Sequence, residues 1–110
     1  METPIVAAIQ FRPNILDVER NLRIAQQMVF EAGGKGASLI VLPELCISGY
    51  VLESKREASL CAQTKDGYQT ESFIPLAKRF NAHIVFGYVE LSEGKLYNSA
   101  AIIGPQGLVA

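Results

Sequence analysis

A glutamate lies just beyond a short aliphatic run that a proline ends. Leu39 to Leu42 are four consecutive apolar residues, and Pro43 and Glu44 come next. The apolar run predicts a buried strand, and Pro43 favours an extended conformation for the residue before it. Ligands of open α/β sheets bind beyond the carboxyl ends of the strands. The pattern therefore indicates that Glu44 is half buried there as a general base, the alternative being an ordinary solvated loop glutamate.

The two cysteines lack the neighbours that activate a thiol. Activation requires a nearby cation, a helix N-terminus or an imidazole, whereas Cys46 lies two residues from the carboxylate of Glu44. We expect Cys46 and Cys61 to be partly buried residues with thiol pKa values near or above about 8.5. The single histidine, His83, begins an apolar stretch, and no C-x-x-C pair accompanies it. We therefore expect no metal site, and His83 is interpreted as a hydrogen-bonded strand end.

Glycine-based nucleotide sites do not fit the order of the predicted elements. The segment "GGKG" at residues 33–36 closes a helix and leads into a strand, whereas a phosphate-binding loop follows a strand and opens a helix. The turn after the first predicted strand, "RPNILD", has no glycine, which excludes a dinucleotide site. No cofactor is expected. Tyr50, Tyr97 and Asn98 either line a pocket near Glu44 or pack in the core, and these alternatives stay open.

The elements before Glu44 predict a parallel strand–helix–strand unit. Ile5 to Phe11 reads as a central strand, and Asp17 as the N-cap of a helix that ends at "GGKG". Leu39 to Leu42 form the second strand. The strands show no polar alternation, so we expect the sheet to be buried on both faces.

The elements after Glu44 predict a change to antiparallel pairing. "ESKREASLCAQ" indicates a short helix, and Thr70 or Ser72 is the expected cap of a further helix that ends at Asn81. The segments "HIVFGYVEL", "LYNSAAII" and "LVA" read as strands, separated by the turns "SEGK" and "GPQG". The fold class is therefore α/β with a mixed sheet.

Composition narrows the range of partners. Ten Lys and Arg residues face eleven Asp and Glu residues with the signs mixed, so no basic stripe for nucleic acid is present. No apolar run is long enough to span a bilayer, and the N-terminus lacks the positive region of a signal peptide. Two cysteines are too few for a disulfide framework. We expect a cytoplasmic protein that binds neither nucleic acid nor membrane.

The chain resembles the N-terminal part of the nitrilase, or carbon–nitrogen hydrolase, superfamily. The resemblance rests on "IVAAIQFRPNILDVERN", "GASLIVLPELCISGY" and "YNSAAIIGPQG", which occur in the family's order and spacing. It implies an α-β-β-α sandwich, a Glu-Lys-Cys catalytic set and small amide, N-carbamoyl or nitrile substrates. The glutamate of the "LPE" motif is the family's general base, and here it is Glu44.

The resemblance also implies that residues 1–110 form an incomplete domain. The family's lysine lies in a "Y-R-K" segment beyond "GPQG", and its cysteine lies further on. Neither cysteine of this chain occupies the motif of the nucleophile, and no lysine matches the catalytic one. We expect this chain alone to be inactive and to form a homo-oligomer or bind a complementary C-terminal fragment. The alternative hypothesis is a non-catalytic remnant that acts as an interaction or assembly module.

Overall fold

A computed structural model describes residues 3–49 and 54–110. These residues form a five-stranded sheet and three helices. In chain order the elements are β1 (Ile5–Ala8), α1 (Val18–Gly34), β2 (Ala37–Val41), α2 (Lys55–Cys61), α3 (Tyr68–Phe80), β3 (His83–Ser92), β4 (Lys95–Gly104) and β5 (Gly107–Leu108). None of the helices in these two ranges is long and apolar enough to cross a membrane.

The sheet is mixed, as the sequence predicted. Its strand order is β1-β2-β3-β4-β5. β1, β2 and β3 are mutually parallel, whereas β4 and β5 are added in antiparallel fashion. The predicted "SEGK" turn joins β3 to β4, and both of its central residues, Glu93 and Gly94, have positive φ angles of 51° and 77°. This geometry matches the twist of a tight hairpin.

Helix α1 begins and ends where the sequence indicated. The side chain of Asp17, the N-cap residue, accepts a hydrogen bond of 3.4 Å from the backbone N–H of Arg20. The helix ends at Gly34, and Gly36 just beyond it has a φ of 92°. A glycine readily adopts this left-handed conformation, so "GGKG" is a helix stop as predicted.

Three predicted details are wrong. The first strand covers Ile5–Ala8 rather than extending to Phe11, and it lies at an edge of the described sheet, not at its centre. The N-cap of α3 is Gly67, because Thr70 already lies inside the helix, buried and hydrogen-bonded to Gln63. The second strand begins at Ala37 and ends at Val41, one residue before the predicted end.

The two faces of the sheet differ in burial. On the covered face, α1 and α3 pack against Ile40, Ile84, Phe86 and Ile103, which are fully buried. The opposite face, here called the open face, carries Val6, Leu39, Val41, Val85 and Ile102, which the strand register places side by side. Four of these five side chains are more than a third exposed. The expectation that both faces are buried is therefore wrong for the described residues.

Candidate functional site

Glu44 lies just beyond the carboxyl end of β2. At this strand end, backbone hydrogen bonds join the chain to both neighbouring segments. Leu42 N–H donates to Val85 O at 2.8 Å, and Ile9 N–H donates to Val41 O at 2.8 Å. Glu44 is therefore held between the chain that follows β1 and the strand β3. This is the edge of a parallel sheet where ligands bind, and it is the position predicted from the sequence.

The chain turns sharply directly after Glu44. Leu45 has a positive φ of 47°, which is uncommon for a residue other than glycine. Gly49 N–H donates to Leu45 O at 2.9 Å and closes the turn. Leu45 itself packs with Cys61 and Val89 in a second, smaller apolar cluster. Residues 44–49 are called the glutamate turn below.

Asn21, a fully buried residue of α1, fixes the glutamate turn to the rest of the domain. Its side-chain amide donates to Ile47 O at 2.8 Å and to Asn14 O at 2.7 Å, and its Oδ1 accepts from Asn14 N–H at 2.8 Å. A buried amide whose hydrogen bonds are satisfied orients the segments it joins. Asn21 closes the first sequence segment that resembles the family, and the structure explains why an amide is needed there.

The Glu44 side chain is exposed rather than half buried. The apolar strand stops at Val41, and the turn directs the carboxylate out of the core. Two grooves meet at this residue. One, of about 350 Å³, is lined by Pro43, Gly87, Asn98 and Ser99 among others. The second lies on the β1 side and includes Gln10 and Arg12.

Asn98 is the candidate residue that the structure brings to Glu44. Its Nδ2 donates to Glu44 Oε2 at 2.6 Å, although 54 residues separate the two along the chain. Tyr50, the other candidate, lies outside the described residues. Tyr97 lies next to Asn98 in β4, but successive residues of a strand point to opposite faces.

Gly87 is a residue of the site that the sequence reasoning missed. A Cβ atom at this position would lie 2.5 Å from the backbone nitrogen of Leu45. The strand β3 therefore passes against the glutamate turn at a separation that only glycine permits. A glycine inside the apolar run "HIVFGYV" was the available signal, because such a glycine often marks a close approach of another backbone.

Both cysteines are buried, more completely than expected. Cys46 Sγ donates to Gly87 O at 3.7 Å, and burial raises the pKa of its thiol to about 11. Cys61 Sγ donates to Ala58 O at 3.2 Å, and burial raises the pKa of that thiol as well. Raised pKa values agree with the prediction that neither thiol is an activated nucleophile.

The remaining polar candidates lie away from Glu44. Lys35 is the C-cap of α1 and forms an ion pair of 3.7 Å with Glu31. It precedes β2, whereas Glu44 follows β2, so the two lie at opposite ends of this strand. His83 is the first residue of β3, as predicted, and is exposed. Within residues 3–49 and 54–110, no Lys or Arg side chain forms an ion pair with Glu44.

Comparison with known proteins agrees with this architecture. Residues 5–110 match the carbon-nitrogen hydrolase family. The chain belongs to the carbon–nitrogen hydrolase family. It is 37% identical over 105 residues to a nitrilase of Pyrococcus abyssi, an alignment that covers 94% of this chain and 40% of that nitrilase. It is 38% identical over 88 residues to omega-amidase NIT2 of Danio rerio, covering 79% of this chain and 31% of the relative.

Solved structures of the family have the same fold. The crystal structure of an N-terminal amidase superimposes with a TM-score of 0.83 at 26% identity, covering 96% of this chain and 26% of the amidase. The carbon–nitrogen hydrolase chain described here thus spans 40% or less of the length of these relatives. The predicted nitrilase-like α/β fold is confirmed.

Proposed function

We propose that this chain supplies the general base, Glu44, of a carbon–nitrogen hydrolase site that acts on a small amide or N-carbamoyl compound. Residues 1–110 would form the N-terminal part of that domain. The lysine and the nucleophilic cysteine would come from residues outside this range, in the same polypeptide or in a complementary chain. The observation that carries the proposal is the Glu44 carboxylate itself, exposed at the carboxyl edge of the parallel strands and hydrogen-bonded to Asn98.

The chemistry assigned to Glu44 is proton transfer. As a base, its carboxylate would take the proton of the cysteine thiol while the sulfur attacks the substrate's carbonyl carbon. The protonated carboxyl would return that proton to the leaving amine, and a thioester would remain. Glu44 would then take a proton from the water that cleaves the thioester. An exposed carboxylate in an open groove can be reached by the thiol, by the amine and by water in turn.

The grooves beside Glu44 support a small polar substrate. Their lining includes Asn98 in one groove and Gln10 and Arg12 in the other, residues that carry amide and guanidinium groups. Such groups hydrogen-bond to amide and carbamoyl substituents, whereas a nitrile offers one weak acceptor. Asn98 and Tyr50 are the proposed substrate contacts. Both cysteines are free thiols, which supports a cytoplasmic location.

The test is the substitution Glu44→Gln in a protein that joins residues 1–110 to the rest of the domain. Glutamine has nearly the same shape but is not a base, so we expect the rate of amide hydrolysis to fall on the order of 10²- to 10⁴-fold. Glu71→Gln on the exposed side of α3 is the matched control and should leave turnover unchanged. Turnover of Glu44→Gln within a few-fold of the parent would refute the proposal.

A second candidate function, an interaction or assembly module without catalysis, is favoured by the open face. Apolar side chains on that face are available for contact with another chain. The reading frame after codon 110 separates the two proposals. A continuing or frame-shifted frame that encodes "Y-R-K" and a cysteine motif favours the hydrolase, and unrelated sequence favours the module.

A further inference from the structure

The β3–β4 hairpin contacts Glu44 in two independent ways. In β3, Gly87 faces the backbone of the glutamate turn: an added Cβ would lie 2.9 Å from Glu44 Cα and 3.0 Å from the Glu44 carbonyl carbon. These are backbone atoms, which cannot rotate away as a side chain can. In β4, Asn98 contacts the carboxylate. The β3–β4 hairpin therefore contacts both the backbone and the side-chain carboxylate of Glu44.

The strand register fixes the relation between these two contacts. Gly87 pairs with Ala100, and Val89 pairs with Asn98, so Gly87 and Asn98 lie one pleat apart on the same face of the hairpin. Gly87 is also held from the turn side, because its carbonyl accepts the Cys46 thiol hydrogen bond. The glutamate turn and the hairpin are thus joined in a single arrangement, with backbone contact at Gly87 and side-chain contact at Asn98.

We propose that Gly87 and Asn98 are positioning residues for Glu44. Gly87 lets the turn approach β3, which sets the location of the Glu44 backbone. Asn98 then holds Oε2 and leaves Oε1 as the atom that accepts the proton. This inference rests on the proposed role of Glu44 as the base, and it adds to the substrate contact suggested for Asn98 a direct action on the carboxylate.

An amide suits this task chemically. A primary amide neither gains nor loses a proton near neutral pH, so Asn98 cannot compete with Glu44 in proton transfer. Its N–H orients the carboxylate through a charge-assisted hydrogen bond. A lysine at the same position would stabilise the ionised form much more strongly and so weaken the base. The amide also retains a second N–H and a carbonyl oxygen, with which it can contact substrate.

The contact can be tested on the chain itself by nuclear magnetic resonance. The protein is labelled with ¹⁵N-asparagine, and the side-chain amide signals are followed from about pH 3 to 6, where carboxylates titrate. We expect the Asn98 signal to move with pH and to stop moving in Glu44→Gln. Asn21 is the internal control, because its amide bonds backbone carbonyls and should not respond. A pH-independent Asn98 signal in the unsubstituted chain would overturn the inference.

Two glycine substitutions separate positioning from general destabilisation. Gly87→Ala should move the turn, so the Asn98 signal should lose its pH response while the signal of Asn81, at the end of α3, stays in place. Gly34→Ala is the matched control, since no atom lies within 4 Å of an added Cβ there. It should leave both signals unchanged. If Gly87→Ala retains the full Asn98 response, Gly87 is not a positioning residue.

Kinetics in the complete domain distinguish positioning from substrate binding. A displaced base lowers kcat on the order of 10²-fold, so Asn98→Ala should lower kcat, whatever rise in KM the lost substrate contact adds. A rise in KM alone would assign Asn98 to substrate binding and refute the positioning role. If Glu44→Gln keeps full turnover while Asn98 still follows pH, the base assignment fails and the contact stands. If Glu44→Gln is inactive while Asn98 is unresponsive, only the positioning inference fails.

Discussion

The covered and open faces of the sheet are built from the same kinds of residue but differ in what lies on them. Ile40 and Ile84 on the covered face have no exposed surface, whereas Val6 and Leu39 on the open face are 59% and 37% exposed. The difference arises from the helices, because α1 and α3 both pack on one side. The hydrophobicity of a strand therefore indicates only that its side chains can be buried. The helices that pack on the sheet determine which face is buried.

The proposed catalytic residue belongs to the open side. Gly87 and Asn98 lie on the same side of β3 and β4 as Val85 and Ile102. At Gly87 this side is covered by the backbone of the glutamate turn and at Val89 by Leu45 and Cys61, whereas at Val41 and Ile102 it is exposed. An apolar face that adjoins a polar groove is typical of a surface that meets another protein segment. The proposed site and the open face are thus adjacent.

The largest expected difference between the faces concerns stability. Phe86→Ala on the covered face removes a fully buried ring that packs against Phe73, and we expect the free energy of unfolding to fall by about 3 to 5 kcal/mol. Leu39→Ala on the open face should change it by less than about 1 kcal/mol, because that side chain already contacts water. Urea denaturation at one protein concentration measures both.

A milder substitution guards against a variant that does not fold. Ile84→Val deletes one buried methylene group and should lower stability by about 0.5 to 1.5 kcal/mol. Equal losses for Ile84→Val and the open-face substitution Val41→Ala would contradict the distinction between the faces.

The next effect is a dependence of stability on alkaline pH. The pKa of Cys46 is raised from 9.0 to about 11 by burial, so the folded state keeps a proton that the unfolded state loses. The contribution of the Cys46 thiol to the free energy of unfolding is fully present below pH 9. It is lost as pH rises toward 11, by about 2 to 3 kcal/mol in all.

The comparison that isolates this effect is the pH slope of Cys46→Ala. Its stability should vary less between pH 9 and 11 than that of the parent, whatever its absolute value. Iodoacetamide should react slowly with both thiols of the folded chain at pH 6. Fast alkylation of Cys46 at that pH would show an activated thiolate and would make Cys46 a candidate nucleophile again.

The third prediction concerns self-association through the open face. Leu39→Lys places a charge in the middle of this face, and we expect the dissociation constant of any self-association to rise about ten- to a hundredfold. Leu60→Lys is the control, because Leu60 lies on α2 and is 70% exposed. Sedimentation velocity of both variants measures this change in self-association. A stable monomer of the unsubstituted chain would show that the open face does not associate.

Local sequence signals were sufficient for much of the fold. Asp17, Gly36 and Asn81 each mark a helix end through their own backbone or side-chain chemistry, and the "SEGK" turn needs positive φ angles that its residues tolerate. The edge position of β1 could not be predicted in this way, because strand order depends on contacts between distant segments. The same holds for the N-cap at Gly67, since Thr70 is already hydrogen-bonded to Gln63.

The features of the candidate site also fall into two groups: those with a local sequence signal and those that depend on contacts between distant segments. Glu44 could be found because proline and an apolar run precede it directly. The exposure of Glu44 could not be predicted, because the left-handed turn at Leu45 redirects the chain and leucine gives no signal for such a turn. The contact with Asn98 joins residues far apart in the chain. The Gly87 approach had a local signal, a glycine inside a strand, but its partner became visible only in three dimensions.

The separation of 54 positions between Glu44 and Asn98 also sets an order of events during synthesis. The hydrogen bond from Asn21 to Ile47 spans only 26 positions, so both of its partners are synthesised before α3. At typical rates of about 5 to 20 residues per second, Asn98 is added roughly 3 to 11 s after Glu44. During that interval the carboxylate of Glu44 lacks the side chain that hydrogen-bonds to it. The acidic group acquires its partner only when the hairpin closes.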